Sequence, residues 1–207
     1  MSTTVNLHRT TGERIVLPLD QSRGQFAVWM LIATEGSLFV ALFCSYFFIG
    51  NNKNRWLIDQ PPKFGLALVM AAVLICSSLV LMWGERLVKQ RRYVAARVAL
   101  GLTILIGLVF LCLSAFDYLS HWKSLTPYSD SYGSIFYTIV TFHAAHVIVG
   151  LLLLSYVLFI PRYAPAEESP YRPYHVAGLY WHFVDIVWLF VVAILYLIPN
   201  LVVYVVH

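Results

Sequence analysis

Five apolar runs in this chain each approach or exceed the roughly 20 residues that a helix needs to cross the hydrocarbon core of a bilayer. In lipid every backbone N–H and C=O group must be bonded within its own segment, so runs of this length fold as helices. The connections between them are short, and no soluble domain fits between the runs. The sequence therefore predicts an all-α integral membrane protein, in which a polar tail over 1–25 precedes a five-helix transmembrane domain over 26–207, with helices at about 26–49, 64–83, 95–119, 134–160 and 176–199.

The composition agrees with a membrane protein. Of the 207 residues, 60% are hydrophobic and only 12% are charged, whereas a soluble domain has about 25% charged residues. Three cysteines, Cys44, Cys76 and Cys112, fall inside apolar runs without disulfide or metal spacing, and we expect them to be small buried hydrophobes. The first 25 residues have no early apolar core, so we expect a retained tail rather than a cleaved signal peptide.

The basic residues predict the orientation. The side that holds the N-terminal tail and the second and fourth connections carries ten Lys and Arg, and the other side carries four. The side richer in these residues faces the cytoplasm, so we predict a cytoplasmic N-terminus and an external C-terminus. This placement explains the net charge of +4 without a nucleic-acid partner. Four arginines around the second connection are also candidates for contact with anionic lipid headgroups, namely Arg86, Arg91, Arg92 and Arg97.

Glu35 is a carboxyl group inside the first apolar run. An ionisable residue at this depth usually faces protein and has a partner. Two roles are open, a protonated carboxyl that bonds a neighbouring helix and a proton-linked group. At 1.5 Å per residue the depth of Glu35 matches that of His182 best and that of His143 second. We therefore predict a buried, protonated Glu35 that is bonded to the fourth or fifth helix, with His182 as its first-choice partner.

Two further pairs of polar residues lie in the last two apolar runs. His143 and His146 are three residues apart, as are His182 and Asp185, so each pair shares a helical face. Such residues fasten helices together, take part in proton transfer or, as His-x-x-His opposite His-x-x-Asp, bind a metal. We predict no metal site, and we expect histidines that are satisfied by Glu35, by Ser or by backbone carbonyls.

The residues from Tyr180 to Phe190 read Tyr-Trp-His-Phe-Val-Asp-Ile-Val-Trp-Leu-Phe. This stretch resembles the final-helix signature of subunit III of the haem–copper respiratory oxidases, the cytochrome c oxidase subunit III family. The run from Trp29 to Phe39 is similar to the helix of that family that holds a membrane-embedded glutamate. Ser77-Ser78 to Trp83-Gly84 resembles the helix that follows it, although less specifically.

The fourth run, from Gly133 to Gly150, is similar to the histidine-containing helix of the same family, and it departs from the pattern at two glycines, which are Thr141 and Ala144 here. Asp117 stands before a Tyr where the family usually has Glu-Tyr. Because Asp117 falls near the outer headgroups, we expect an outer-end carboxylate that is solvated. The third run also holds a row of small residues spaced by four, which predicts close packing of helices, at Ala95, Ala99, Thr103 and Gly107.

The resemblance implies a five-helix bacterial form of subunit III in the plasma membrane. It implies that this chain has no catalytic residue and no cofactor of its own, and that haem and copper are held by partner subunits. It further implies contact with subunits I and II, bound phospholipid, and support of proton uptake while oxygen is reduced to water with proton pumping. Three alternatives stay open: a quinol oxidase subunit III, a homologue associated with nitric-oxide reductase, and an independent transporter or metalloprotein.

Overall fold

The computed structural model describes residues 20–52, 64–121, 131–159 and 171–199. All of the described elements are helices, and five of them are long and apolar enough to cross a membrane. The prediction of an all-α membrane chain with five spanning helices is therefore confirmed, and the chain is a multi-pass membrane protein. The helices are α1 (Asp20–Asn52), α2 (Phe64–Lys89), α3 (Tyr93–His121), α4 (Ser131–Phe159) and α5 (Tyr171–Val191), which continues as a π-helix over Val192–Leu197.

The helices extend past the apolar runs that predicted them. Helix α1 begins at Asp20, inside the predicted polar tail, and α2 continues beyond its apolar run to Lys89. Backbone hydrogen bonding does not stop at the edge of the hydrocarbon, so polar residues can prolong a spanning helix into the headgroup level. The rest of the tail and most of the loop residues lie outside the described residues, and the orientation of the chain stays a prediction.

A tight turn joins α2 to α3. Arg91 has a positive φ of 60°, its N–H donates to the carbonyl of Val88, and the N–H of Arg92 donates to the carbonyl of Leu87, both at 2.9 Å. This pair of bonds is the Schellman ending of a helix, in which glycine usually takes the left-handed position. The turn sends α3 back along α2, and these two helices form an extensive contact.

Helix α5 lies at the centre of the bundle, packed against α1, α2 and α4. Its Trp181 is fully buried in a slot between two glycines. A Cβ atom on Gly107 would lie 2.8 Å from Cη2 of Trp181, and one on Gly150 would lie 2.9 Å from its Cε3. Gly107 ends the row of small residues on α3, of which Ala99 and Thr103 are also buried and Ala95 is half-buried. The close packing expected of that row is therefore observed.

The cysteines correct one expectation. Cys44, Cys76 and Cys112 were predicted to be buried, and all three are exposed on the outside of the bundle. Lipid tails are as apolar as the side chains of a protein core. An apolar run in a membrane helix therefore does not distinguish the face that meets lipid from the face that meets other helices.

Candidate functional site

Glu35 of α1 is paired with His146 of α4. The Nε2 atom of His146 lies 2.8 Å from Oε2 of Glu35, and its Nδ1 lies 2.6 Å from the carbonyl oxygen of Phe142. Because a carbonyl oxygen only accepts, Nδ1 must carry a proton. One further proton is then shared between Nε2 and the carboxyl group, as a neutral acid beside a neutral imidazole or as a carboxylate beside an imidazolium.

This pair corrects the predicted partner of Glu35. The prediction of a bond to the fourth or fifth helix is confirmed, but the partner is His146 rather than His182 or His143. The prediction compared residues by their depth in the membrane, and depth does not show which face of each helix meets α1. The side chain of Glu35 is also 29% exposed, so it is half-buried within this chain rather than buried.

His182 and Asp185 of α5 are joined to α2 through Ser78. The Oγ atom of Ser78 lies 2.7 Å from Nδ1 of His182 and donates to Oδ2 of Asp185, which is buried. At the neighbouring residue of each helix, Nε1 of Trp181 donates to Oγ of Ser77 at 2.9 Å. The polar pair therefore fastens α5 to α2. It is not a nucleophile triad, since in a triad the carboxylate bonds the histidine rather than the serine.

His143 is enclosed by aromatic rings. It is 1% exposed, with ring centroids at 4.9 Å from Trp188, 5.9 Å from Phe110 and 6.4 Å from Phe39. Among the described residues neither of its ring nitrogens has a hydrogen-bond partner. The expectation of satisfied histidines is thus confirmed for His146 and His182 and is wrong for His143, where ring packing takes the place of a hydrogen bond.

Asp117 of α3 is buried, at 4% exposure, although we expected a solvated carboxylate. The hydroxyl of Tyr196 donates to Oδ2 of Asp117 at 2.9 Å. Tyr196 belongs to the π-helix that ends α5, and it is fully buried. π-helical turns are rare and often occur at functional positions. Here the turn carries the tyrosine that covers the carboxylate, which the sequence pattern did not reveal.

A second polar pair lies on α2 and α5, at the end of α2 where the basic residues cluster. The Nδ1 atom of His175 lies 2.8 Å from Oε1 of Glu85, and Nζ of Lys89 lies 3.9 Å from the same oxygen. Nearby, Nη2 of Arg97 donates to the carbonyl of Leu158 at 2.9 Å. That carbonyl is in the last turn of α4, where backbone acceptors have no helical partner.

The four lipid-headgroup candidates therefore divide into two kinds. All four are exposed at the surface of the chain, but Arg97 also caps another helix, which distinguishes it from Arg86, Arg91 and Arg92. An exposed arginine at the headgroup level can attract anionic lipid. The structure places all three close together around the turn between α2 and α3.

Four residues of these contacts were missed as site candidates from the sequence: Ser78, Glu85, His175 and Tyr196. The spacing of residues in the sequence could have indicated three of them. Ser78 and Glu85 are seven residues apart on α2, and His175 and His182 are seven apart on α5, so each pair follows one stripe of its helix. The signal becomes readable only when α2 and α5 are known to be neighbours. Tyr196 gave no such signal.

The polar residues suit hydrogen bonding and proton exchange better than metal binding. Among the residues that the structure describes, no group of three or more His, Cys, Asp and Glu side chains is arranged to hold a metal ion. His146 bonds Glu35 while His182 and Asp185 bond Ser78. The four-residue set that a metal site would need is therefore divided between two separate contacts.

Comparison with known proteins agrees with the geometry. A sequence model of the family "Cytochrome c oxidase subunit III" matches residues 21–199 and so includes all five helices. Cytochrome c oxidase subunit 3 of Bacillus subtilis is 33% identical over 178 residues, which cover 82% of this chain and 83% of the relative. The subunit 3 of a Synechocystis species is 31% identical over 177 residues, 84% and 75% of the two chains. A probable subunit 3 of Rickettsia bellii is 30% identical over 189 residues, 83% and 67% of the two chains. The chain belongs to the cytochrome c oxidase subunit III family.

Proposed function

We propose that this chain is a non-catalytic subunit III of a bacterial haem–copper terminal oxidase, of the cytochrome c oxidase type. It stabilises the catalytic subunit I in the plasma membrane, contacts subunit II, and supports proton uptake while the complex reduces oxygen to water. The observation that carries the proposal is the family match across all five helices. The names of the bacterial relatives support the same complex.

The described side chains support an accessory role. A metal ion bound by side chains needs several ligands brought together, and among the described residues no group of three or more His, Cys, Asp and Glu side chains is arranged to hold one. We assign the haem and copper to partner subunits, as the resemblance to subunit III implies. Several ionisable groups among the described residues are used in contacts between helices, such as the one between Glu35 and His146.

Phospholipid is a second expected ligand. Arg86, Arg91 and Arg92 form an exposed basic surface at the turn between α2 and α3, and each such charge adds about 1 kcal/mol of attraction to an anionic membrane surface. Replacing Arg86 and Arg92 by Gln should lower the amount of anionic phospholipid that purifies with the complex. The same change at Arg97, which caps α4, should leave the lipid content unchanged and serves as the control.

The test of the function is purification of the tagged chain from its own membranes in a mild detergent. We expect a haem-containing subunit I in the purified complex and oxygen uptake that is driven by reduced cytochrome c. Oxygen uptake with a quinol, and not with cytochrome c, would assign the chain to a quinol oxidase. Nitric-oxide reduction would assign it to the reductase-associated homologues. A chain that purifies without any haem protein would refute the proposal.

A further inference from the structure

The contact between α2 and α5 carries two polar pairs in one register. Ser78 meets His182, and Glu85 meets His175. Along α2 the residue number rises by seven from the first pair to the second, and along α5 it falls by seven, as antiparallel neighbours require. Seven residues are two helical turns, or about 10 Å. We call Ser78, Glu85, His175, His182 and Asp185 the polar seam.

The polar seam runs from the end of α2 into the bundle. The pair of Glu85 and His175 is at the exposed end of the seam, since the side chains of His175 and Glu85 are 34% and 21% exposed and Lys89 lies beside them. Its last member, Asp185, is buried at 8% exposure. Chains of Asp, Glu and His within a membrane commonly carry protons.

The hydrogen bonds at the buried end are arranged for a proton transfer. Ser78 has one hydroxyl proton, and it donates this proton to Oδ2 of Asp185. The Nδ1 atom of His182, 2.7 Å from the same Oγ, must then be the donor in that contact. His182 therefore donates to Ser78, and Ser78 donates to Asp185, so the hydrogen bonds point in one direction and end on a carboxylate.

We propose that the polar seam takes up a proton from the aqueous phase at Glu85 and His175 and stores it on Asp185. The step of about 10 Å between the pairs requires water to enter beside Leu81, which packs against Gly178, and this water delivers the proton to Nε2 of His182. The Nδ1 proton of His182 then moves to Oγ of Ser78 while the hydroxyl proton of Ser78 moves to Oδ2 of Asp185. One proton enters, one carboxylate becomes a neutral acid, and His182 is left neutral with its proton on Nε2. Release follows the same steps in reverse.

Asp185 suits the storage role because its second oxygen, Oδ1, is buried and has no hydrogen-bond partner among the described residues. Burial without a full set of partners favours the neutral form of a carboxyl group. The ionisable groups that the other neighbours of α5 contribute are otherwise engaged. Glu35 of α1 bonds His146 of α4, and His143 of α4 stacks on Trp188.

The inference rests on the proposed function, because the oxidase complex is where the stored proton would be used. The following experiment gives different results for failure of the inference and failure of the proposed function. The purified oxidase in lipid nanodiscs is subjected to a rapid drop in pH, and infrared difference spectra follow the C=O stretch of protonated carboxyl groups. We expect a band that is lost in Asp185→Asn. Its rise should slow about a hundredfold in Ser78→Ala, within the range for loss of a positioned proton-transfer group.

Matched variants make the outcome decisive. Ser78→Thr keeps the hydroxyl and should keep the rate. Ser45→Ala removes a serine whose hydroxyl donates within its own helix, to the carbonyl of Ala41, and it should also keep the rate. His175→Gln keeps a bond to Glu85 without carrying a second proton and should slow the rise as Ser78→Ala does.

Absence of an Asp185-dependent band, or an unchanged rate in Ser78→Ala, overturns the inference. If the same sample contains haem and consumes oxygen, the proposed function survives that result. A sample without a haem partner refutes the proposed function, and the band in the chain alone still decides the inference.

Discussion

The slot that holds Trp181 gives a prediction that can be worked out from distances. Gly107→Ala adds a Cβ atom 2.7 Å from Cδ2 of Leu151 and 2.8 Å from Cη2 of Trp181, both closer than real contacts of this kind. The leucine methyl group can rotate away. The indole ring cannot move freely, because its Nε1 donates to Ser77 and Gly150 lies on its other side.

The size of the effect follows from a comparison with Gly101, on the same helix. A Cβ atom there meets nothing within 4 Å. Both substitutions gain the same helix propensity of alanine over glycine, about 1 kcal/mol, so that gain cancels in the difference. What remains is overpacking, which costs about 1–3 kcal/mol in a well-packed interior. Displacement of the Trp181 ring would add about 1 kcal/mol for the weakened hydrogen bond.

The assay is thermal unfolding of each variant in detergent, followed by the near-ultraviolet circular dichroism of its tryptophans. A change of 1 kcal/mol shifts Tm by about 2–4 °C for a chain of this size. We therefore expect Gly107→Ala to unfold several degrees below Gly101→Ala, and Gly150→Ala to behave like Gly107→Ala. If Gly107→Ala were as stable as Gly101→Ala, the slot would have room to spare, and the argument for tight packing around Trp181 would be refuted.

Substitutions at three more residues, with one control position, test single contacts. Arg91→Gly should raise the free energy of unfolding by about 1 kcal/mol, because glycine adopts the left-handed conformation without strain; a lower Tm would contradict the turn geometry. Glu35→Gln should keep the subunit in its complex, whereas Glu35→Ala should lose about 1–3 kcal/mol by leaving a histidine unpaired; equal loss of the subunit from both variants would show that the charge matters. Tyr196→Phe should destabilise the chain by a similar amount, while Tyr156→Phe, at an exposed position, should not; melting curves decide both.

The sequence predicted the helices well because their cause is local. A run of about 20 apolar residues must form its own hydrogen bonds wherever it sits in the bilayer, so α1 to α5 follow from length alone. The cause of the contacts between helices is not local. His143 and His146 share a face in the sequence pattern, yet residues three apart differ by about 60° around the helix axis. That angle is enough to place His143 among aromatic rings and His146 beside Glu35.

Burial was predicted poorly for a related reason. In water, an apolar residue on a helix indicates the buried side, but both sides of a membrane helix are apolar. The cysteines consequently lie on the outer surface, against expectation. The prediction for Asp117 was wrong in the opposite sense, since this residue was expected to be solvated and is buried. Its burial depends on Tyr196, which is 79 residues away in the chain. Only the arrangement of α3 beside the end of α5 brings the two together.

Removing a polar contact is expected to have different effects on different helices of this bundle, because the helices differ in the number and size of their other contacts. Lipid gives apolar surfaces no reason to prefer each other, so packing of small residues and polar bonds must select the neighbours of each helix. Helices α2 and α3 are joined by the tight turn and a long contact, and α5 packs against α1, α2 and α4 and places Trp181 beside Gly107 of α3. Helix α1 packs mainly against α4 and α5, and the bond between Glu35 and His146 is a polar contact that joins it to the bundle. Loss of that bond should release α1 locally, whereas loss of the bonds at Ser78 should weaken the centre of the fold.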